Sequence, residues 1–387
     1  MPLKKSITLF NRKDWFWVLL LTITLFCFFI FYNNSSFVIP GEEELTTKID
    51  VLDEMILPGK FKPPYDFIFI NVGKDLELVQ DENGGDNAIT DRKKLASFLK
   101  ILSDSNRHQY LLCDIIFDIP SIHDSLFKQS IIGLKRAVFP RHLGDAGSTN
   151  PLFQLPVAVA DYHTNTGKFN KFRLIYNDTE KTIPVTLHEQ LQKVSYTNRY
   201  GTIFCDNKIC LQTISPRYYI RPYQLTQSKE YPYFNLGELL LLSNDPGFYN
   251  RFLQNKFIII GNFDTDVHDT PIGKMPGALI LLNTYLNLIN GRHQLTFWWF
   301  LTLFAIFFLI NLYMVHGAVT PPQVTKKKGW VTNIANSLLG KLFSLAGMGI
   351  GIALVSELVF GVQCQVFSVL FFILVVNFLL SLSKKPD

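Results

Sequence analysis

The chain has 387 residues, 48% of them hydrophobic and 34 of them Phe, which is too apolar for one ordinary soluble domain. Its formal net charge is +5, but the middle of the chain has no basic stripe with interleaved aromatic residues. The composition therefore excludes a single soluble domain, and we expect no nucleic-acid partner.

Four apolar runs near the two ends account for the excess: 15–32, 297–315, 342–360 and 362–382. Each approaches the roughly 20 residues that a helix needs to cross the hydrocarbon core of a bilayer. The first run could also be a cleaved signal peptide, but no small-residue cleavage site follows it. We predict four transmembrane helices at these positions, in contact with membrane lipid.

The segments that flank these runs are basic on one side only. Segments 1–14, 316–341 and 383–387 carry lysine and arginine, whereas the turn between the third and fourth runs carries neither. The basic residues are Lys4, Lys5, Arg12, Lys13, Lys326, Lys327, Lys328, Lys341, Lys384 and Lys385. Because basic flanks stay in the cytoplasm, we predict cytoplasmic termini and a domain outside the cytoplasm over residues 33–294.

The first half of that domain alternates strand and helix patterns. Apolar runs at 65–72 and 110–117 predict buried strands, and a helix from Thr90 to about Leu102 lies between them. A second helix through residue 135 precedes a third strand at 137–140. This order is typical of a βαβ core with parallel neighbours.

The second half changes character. Residues 158–223 alternate apolar and polar positions, which predicts antiparallel strands around a helix near 187–194. Residues 257–261 form a short apolar run that returns to the core sheet, and a helix over 276–290 covers it. The predicted fold is an α/β extracytoplasmic domain, whose mixed sheet has a βαβ core and an antiparallel edge portion, plus four transmembrane helices.

Two cysteines flank a predicted hairpin turn. Cys205 and Cys210 enclose Asp206-Asn207-Lys208-Ile209, so they lie on adjacent strands. In an oxidising compartment they could form a disulfide, which would add about 2 kcal/mol by the loop-entropy argument. The alternative is a pair of free or buried thiols.

Four ionisable residues follow the last core strand: Asp264, Asp266, His268 and Asp269. Polar residues just past a buried strand are where open α/β sheets place ligands, and Asp114 and Asp118 are predicted to share a strand face near them. These six residues could bind a cation or a polar ligand, although the spacing matches no standard zinc or EF-hand pattern and leaves the metal open. The simpler interpretation, which the pattern favours, is that the aspartates hold the turns of this loop.

This region carries a resemblance to a known family. An apolar strand and Gly261 are followed by Asp-x-Asp-x-His, Thr-Pro-x-Gly, Met-Pro-Gly and a helix with Asn283. Upstream, YLLCDIIFDIP at 110–120 precedes Asp124 and Leu126. Over residues 66–291 the chain resembles CHASE2 domains, which are extracytoplasmic sensory domains of bacterial membrane receptors.

The resemblance implies a ligand sensor in the bacterial inner membrane that passes its state through the membrane helices. Family members carry a kinase, cyclase or other output domain after three C-terminal spans, whereas here only residues 383–387 follow the last span. We therefore expect a separate protein partner to carry the output. The sequence is also compatible with a homo-oligomer, because Gly347, Gly349 and Gly351 on the third predicted span would let helices pack closely.

The sequence also bears on two other functional classes. The domain could instead be a structural or scaffold subunit of an envelope complex, which needs no output domain. The sequence has no Walker loop, Gly-x-Ser-x-Gly, His-Glu-x-x-His or Cys-x-x-Cys motif. We therefore expect neither an enzyme nor a cofactor.

Overall fold

The structure is a computed structural model that describes residues 12–56, 62–80, 84–143, 156–161, 167–176, 180–242, 246–315 and 338–383. The predicted basic loop, the C-terminal tail and most of the N-terminal segment lie largely outside these ranges. The chain forms two compact units, one made of Met1–Ile56 with Gln294–Asp387 and one made of Leu57–His293. We call them the helical unit and the sheet domain and describe each by itself.

The described helices are α1 (Arg12–Asn34), α2 (Glu42–Ile56), α3 (Arg92–Ser105), α4 (Asp124–Ile131), α5 (Ile183–Gln192), α6 (Pro222–Thr226), α7 (Leu236–Leu241), α8 (Pro246–Phe252), α9 (Gly277–Ile289), α10 (Phe297–Val315), α11 (Leu338–Phe360) and α12 (Phe367–Ser383). The described strands are β1 (Phe67–Asn71), β2 (Leu76–Gln80), β3 (Asp86–Thr90), β4 (Tyr110–Asp114), β5 (Ala137–Arg141), β6 (Val157–Val159), β7 (Phe172–Arg173), β8 (Ile175–Tyr176), β9 (Glu180–Lys181), β10 (Tyr196–Arg199), β11 (Thr202–Cys205), β12 (Lys208–Cys210), β13 (Thr213–Ile214), β14 (Tyr233–Asn235), β15 (Phe257–Gly261), β16 (Val267–Thr270) and β17 (Gly273–Pro276).

A parallel sheet forms the centre of the sheet domain. In the described part of the chain its strand order is β14-β1-β15-β4-β5-β6, and every pairing within it is parallel. The parallel core expected from the strand–helix alternation is therefore confirmed. The strand at 257–261 lies in the middle of the sheet, with all five residues buried, because both of its faces are apolar.

The two faces of this sheet differ in chemistry because side chains alternate along each strand. Ile68, Ile258 and Cys113 face a core that also contains the apolar side chains of α3, α4, α7 and α8. The helix predicted after Thr90 is confirmed as α3, and Leu95, Phe98, Leu99 and Leu102 on one of its faces are all fully buried. Its N-cap is Asp91 rather than Thr90, since the Asp91 carboxylate accepts the Lys94 N–H at 2.9 Å.

The opposite face is aromatic and is covered by α5 and α9. Phe67, Tyr110 and Phe257 pack around Tyr65 and Tyr285 with ring centroids about 6 Å apart. The sheet is thus buried on both sides, as a parallel sheet requires.

The antiparallel portion differs from its prediction. It exists, but the described strands place it in separate small sheets, β10-β11-β12 and the pairs β7-β13 and β8-β9, and β6 joins the parallel sheet. The predicted mixed sheet is therefore wrong in this detail. The hairpin between Cys205 and Cys210 is confirmed, with Asp206 in the left-handed conformation at φ 53° that such a tight turn needs.

The last helix of the sheet domain, α9, is clamped to the segment before α6. The Asn283 side chain accepts the Ile220 N–H at 2.9 Å and donates to the Ile220 carbonyl at 2.8 Å. Asn287 makes the same pair of bonds to Arg217, at 3.1 and 2.8 Å. Both amides are fully buried, so these four bonds satisfy groups that would otherwise be costly to desolvate.

The helical unit contains α1, α2, α10, α11 and α12. Phe26 and Phe29 of α1 pack against Trp299, Phe300 and Phe307 of α10. The helix α2 lies in the segment predicted to begin the outer domain at residue 33, but residues up to Ile56 group with the helical unit. The buried side chains of α2 are mostly polar, such as Glu42 and Thr46 beside Ile49, whereas Val51 and Met55 are exposed.

Two helices of this unit are long and apolar enough to cross a membrane, judged by length and composition alone: Asp14–Asn34 and Phe297–Val315. They coincide with the first two predicted spans. The other two apolar runs correspond to α11 and α12, whose apolar portions Gly347–Phe360 and Phe367–Val376 are shorter. The fourth helix begins at Phe367 rather than at 362, and the four-span topology stays a prediction.

Candidate functional site

Two carboxylates converge where β4 and β15 end. Asp114 is the last residue of β4 and pairs in register with Gly261, the last residue of β15. The chain then passes Asp266 and forms the β16–β17 hairpin, which returns it to Gly277 at the start of α9. The Gly277 N–H donates to the Asp266 carbonyl at 3.0 Å, so the hairpin brings Asp266 back to the edge of the sheet.

Gly277 leaves the space that these carboxylates occupy. A Cβ at this position would lie 2.7 Å from Asp266 Oδ2 and 3.0 Å from Asp114 Oδ2. Distances this short are not tolerated by a real side chain, so the close approach of two acids to the start of α9 requires glycine.

The charges in this pocket interact. Burial, and then the Asp266 charge, raises the pKa of Asp114 to about 7, while His268 and His142 act in the opposite direction. Asp266 Oδ1 lies 3.0 Å from His268 Nε2, and this hydrogen bond raises the pKa of His268. Positive charge added nearby would therefore favour the ionised form of Asp114.

Two further residues complete the pocket, and sequence reasoning missed them. His142 follows β5, Asp161 follows β6, and His142 Nδ1 lies 2.5 Å from Asp161 Oδ1. Since β15, β4, β5 and β6 are parallel neighbours, residues just after each of them meet at one edge. Applying the strand-end rule to 137–140 would have found His142, whereas Asp161 was hidden by assigning its segment to the antiparallel portion.

The resulting cavity has a volume of about 190 Å³. It is lined by Asp114, Ile116, His142, Ala160, Asp161, Phe169, Asp266, His268, Gly277, Ile280 and Leu281. It therefore combines three carboxylates and two imidazoles with an apolar wall. Such a site can hold a small ligand that carries positive charge.

The structure separates the other predicted site residues from this cavity. Asp264 accepts a hydrogen bond from the Asn71 amide at 2.9 Å and so joins the end of β1 to the loop after β15. Asp269 lies opposite Lys274 in the hairpin at 3.6 Å, where both side chains are exposed and the pair contributes little. For Asp264 and Asp269 the structural interpretation fits.

The prediction that Asp118 shares a strand face with Asp114 is wrong, because β4 ends at Asp114. Beyond it the chain leaves the sheet to insert Phe117 into the core against Phe127. Asp118 is exposed as a result and does not line the cavity.

A larger cavity of about 700 Å³ lies at the opposite edge of the sheet, near the start of β1. It is lined by Pro63, Pro64 and Tyr65, and its Lys256 pairs with Asp66 at 3.0 Å. No predicted site residue lines it. The pocket at the carboxyl edge is the stronger candidate.

The cysteines lie elsewhere in the sheet domain. Cys205 ends β11, Cys210 ends β12, and both are buried free thiols in the structure. The disulfide is not formed in this state and stays a prediction. Hydrogen bonding from Cys210, and further the proximity of the His188 and His293 rings, lowers the pKa of the Cys205 thiol.

Comparison of the chain with protein-family models, with curated proteins and with solved structures finds no match. The resemblance to CHASE2 domains therefore rests on the motifs in the sequence.

Proposed function

We propose that this protein is a membrane-attached sensor of the CHASE2 type. Its sheet domain lies outside the cytoplasm and binds a small cationic ligand. The observation that carries the proposal is the convergence of Asp114 and Asp266 beside Gly277 at the carboxyl edge of a parallel sheet. The apolar helices anchor the domain and transmit its state to a partner.

The composition of the pocket favours a small organic cation, such as an amine. A positive group between Asp114 and Asp266 would relieve the repulsion that raises the pKa of Asp114. The apolar side chains of Phe169, Ile280 and Leu281 would cover the rest of the ligand. A bare metal ion would leave this apolar wall unused.

Membrane attachment is supported by α1 and α10, which meet the length and hydropathy of spanning helices. The positions of the basic residues at 1–14 and 316–341 favour a cytoplasmic location for these segments. On this basis the sheet domain would lie on the outer face of a bacterial inner membrane.

Ligand binding is tested by thermal unfolding of the full-length protein in mild detergent, with a panel of small amines, divalent cations and neutral polar compounds. A ligand at 100 times its Kd adds about 2.7 kcal/mol to the free energy of unfolding. We expect at least one amine to raise the Tm of the wild type, and Asp114→Asn with Asp266→Asn to abolish that rise. Asp118→Asn, an exposed aspartate outside the cavity, is the matched control. No shift with any compound, or a shift that survives in the double variant, would overturn the proposed ligand site.

The proposal that the protein passes its state to a partner is tested by purifying the tagged full-length protein from its own membranes. Stoichiometric partners are then identified by mass spectrometry. A partner with a kinase, cyclase or other regulatory domain is the expected result. Partners that form a fixed-ratio envelope assembly without a regulatory domain would instead identify a structural subunit.

A further inference from the structure

A second group of reactive side chains is buried in the sheet domain, apart from the acidic pocket. It comprises His188 on α5, Tyr196 on β10, Cys205 on β11, Cys210 on β12 and His293 after α9. We call it the His–Cys cluster. Each of the five residues is at most 5% exposed, and the proposed ligand site uses none of them.

Three of these residues have the spacing of metal ligands. One ligand atom each from His188, Cys205 and His293 lies within 4.8 Å of the other two. Cys210 adjoins them, since its thiol lies within hydrogen-bonding reach of Cys205. Two imidazoles and two thiols are the ligand set of closed, tetrahedral structural zinc sites.

Tyr196 orients both imidazoles. Its hydroxyl lies 2.8 Å from His188 Nδ1 and 2.7 Å from His293 Nε2. A tyrosine oxygen can accept two hydrogen bonds while its own proton is donated elsewhere, here toward Cys205. Each ring can thus donate one N–H to Tyr196 and keep a lone pair on its other nitrogen, as a metal-binding histidine does.

One nitrogen of the cluster has no hydrogen-bond partner. His293 is fully buried, and its Nδ1 forms no hydrogen bond with any described residue. Leaving such a group unsatisfied is costly, because it has given up its hydrogen bonds to water. A bound cation would use this lone pair and would also balance thiolate charge in a site that water does not reach.

We propose that His188, Cys205 and His293, with Cys210 as the fourth ligand, bind one Zn²⁺ ion in a closed structural site. On binding, the two thiols release their protons to solvent and no electron is transferred. Thiolate and imidazole ligands favour this type of ion over Mg²⁺ or Ca²⁺. The ion would join α5, the β10–β12 sheet and the segment after α9, which are otherwise held by side-chain packing and hydrogen bonds.

The test is the metal content of the full-length protein, isolated in mild detergent under reducing conditions without chelators. Elemental analysis by inductively coupled plasma mass spectrometry is expected to find about one zinc ion per chain. His188→Ala, Cys205→Ser and His293→Ala are expected to lose at least about 90% of it. His268→Ala, in the acidic pocket, and Cys27→Ser, the exposed cysteine of α1, are the controls and should retain it.

Cobalt loading of the wild-type protein provides a second measurement that does not depend on the variants folding. Replacing the ion with Co²⁺ should produce sulfur-to-cobalt charge-transfer absorption together with tetrahedral d–d bands. Absence of thiolate absorption, zinc that is lost in His268→Ala but kept in His293→Ala, or a wild type without metal would each overturn the proposal. So would a Cys205–Cys210 disulfide in protein whose free thiols are alkylated during anaerobic lysis.

Discussion

The acidic pocket and the His–Cys cluster place similar ionisable groups in opposite environments. The pocket lies at an edge of the sheet, where His268 and Asp266 keep roughly a third or more of their side-chain surface exposed. The cluster lies inside the domain, where His293 and Cys205 are almost completely buried. Water and exchangeable ligands can satisfy the first site, whereas the second needs a permanent partner.

The largest effect is expected in the cluster. Tyr196→Phe removes the hydroxyl that hydrogen-bonds both imidazoles and leaves buried nitrogen atoms without a partner. We expect the free energy of unfolding to fall by about 2–4 kcal/mol, measured by circular dichroism during urea unfolding. Tyr200→Phe is the control, because Tyr200 is completely exposed at the turn of the same small sheet. Equal effects of the two substitutions would contradict the proposed role of Tyr196.

The next largest effect is a pH dependence of stability that comes from Asp114 in the acidic pocket. The folded-state pKa of Asp114, about 7, lies above the ordinary value of 3.8, so the folded protein binds more protons between these values. Stability is then lost as the pH rises from about 4 to about 7. Because solvent reaches the pocket, we expect a loss on the order of 2 kcal/mol rather than the full value.

Asp114→Asn should remove this part of the pH dependence, since the amide stays neutral. Thermal unfolding of wild type and variant from pH 4.5 to 8 measures it, and Asp118→Asn should follow the wild type. A wild type whose stability rises over this range through Asp114 would show that the carboxyl is ionised in the folded state.

A smaller effect is expected where the pocket is most crowded. Gly277→Ala places a Cβ 2.7 Å from Asp266 Oδ2 and 3.0 Å from Asp114 Oδ2. The carboxylates must shift to avoid this clash, which should lower the free energy of unfolding by about 1–2 kcal/mol. The shift should also weaken ligand binding, while the zinc content stays the same. Gly347→Ala is the control, because no atom lies within 4 Å of its added Cβ. Loss of zinc in Gly277→Ala would show that the two sites are not separable.

The smallest effect concerns the exposed ion pair. His268 has its pKa raised by Asp266, so its stabilisation is present below pH 6.5 and is lost as the pH rises through the folded-state value. His268→Gln should cost less than about 1 kcal/mol at pH 6 and nothing at pH 9. Lys274→Gln, which removes the neighbouring pair with Asp269, should show no difference between these two pH values. A cost of several kcal/mol for His268→Gln would mean that the pair is buried in solution.

The sequence predicted what depends on local pattern. The apolar runs at 110–117 and 257–261 gave adjacent parallel strands, and the strand-end rule gathered Asp114, Asp266 and His268 at one edge. It failed for Asp118 because periodicity alone cannot say where a strand ends. It also missed α2, because the buried side chains of this helix are mostly polar and give no apolar stripe.

The His–Cys cluster could not be predicted in this way. Tyr196 and His293 are 97 residues apart in sequence, and their hydrogen bond depends on the packing of α5, α9 and a small antiparallel sheet. Only the pair Cys205 and Cys210 gives a local signal, and that signal suggests a disulfide as readily as a metal site.

One structural element reaches both sites. Gly277, at the first turn of α9, contacts the pocket carboxylates, and His293 follows the end of the same helix, which Asn283 and Asn287 hold in place. Thirteen residues of helix span about 20 Å. If a pocket ligand binds ten times more tightly when the cluster holds its ion, the ion must also bind ten times more tightly when the pocket is filled. Metal availability would then set the concentration of ligand to which the protein responds.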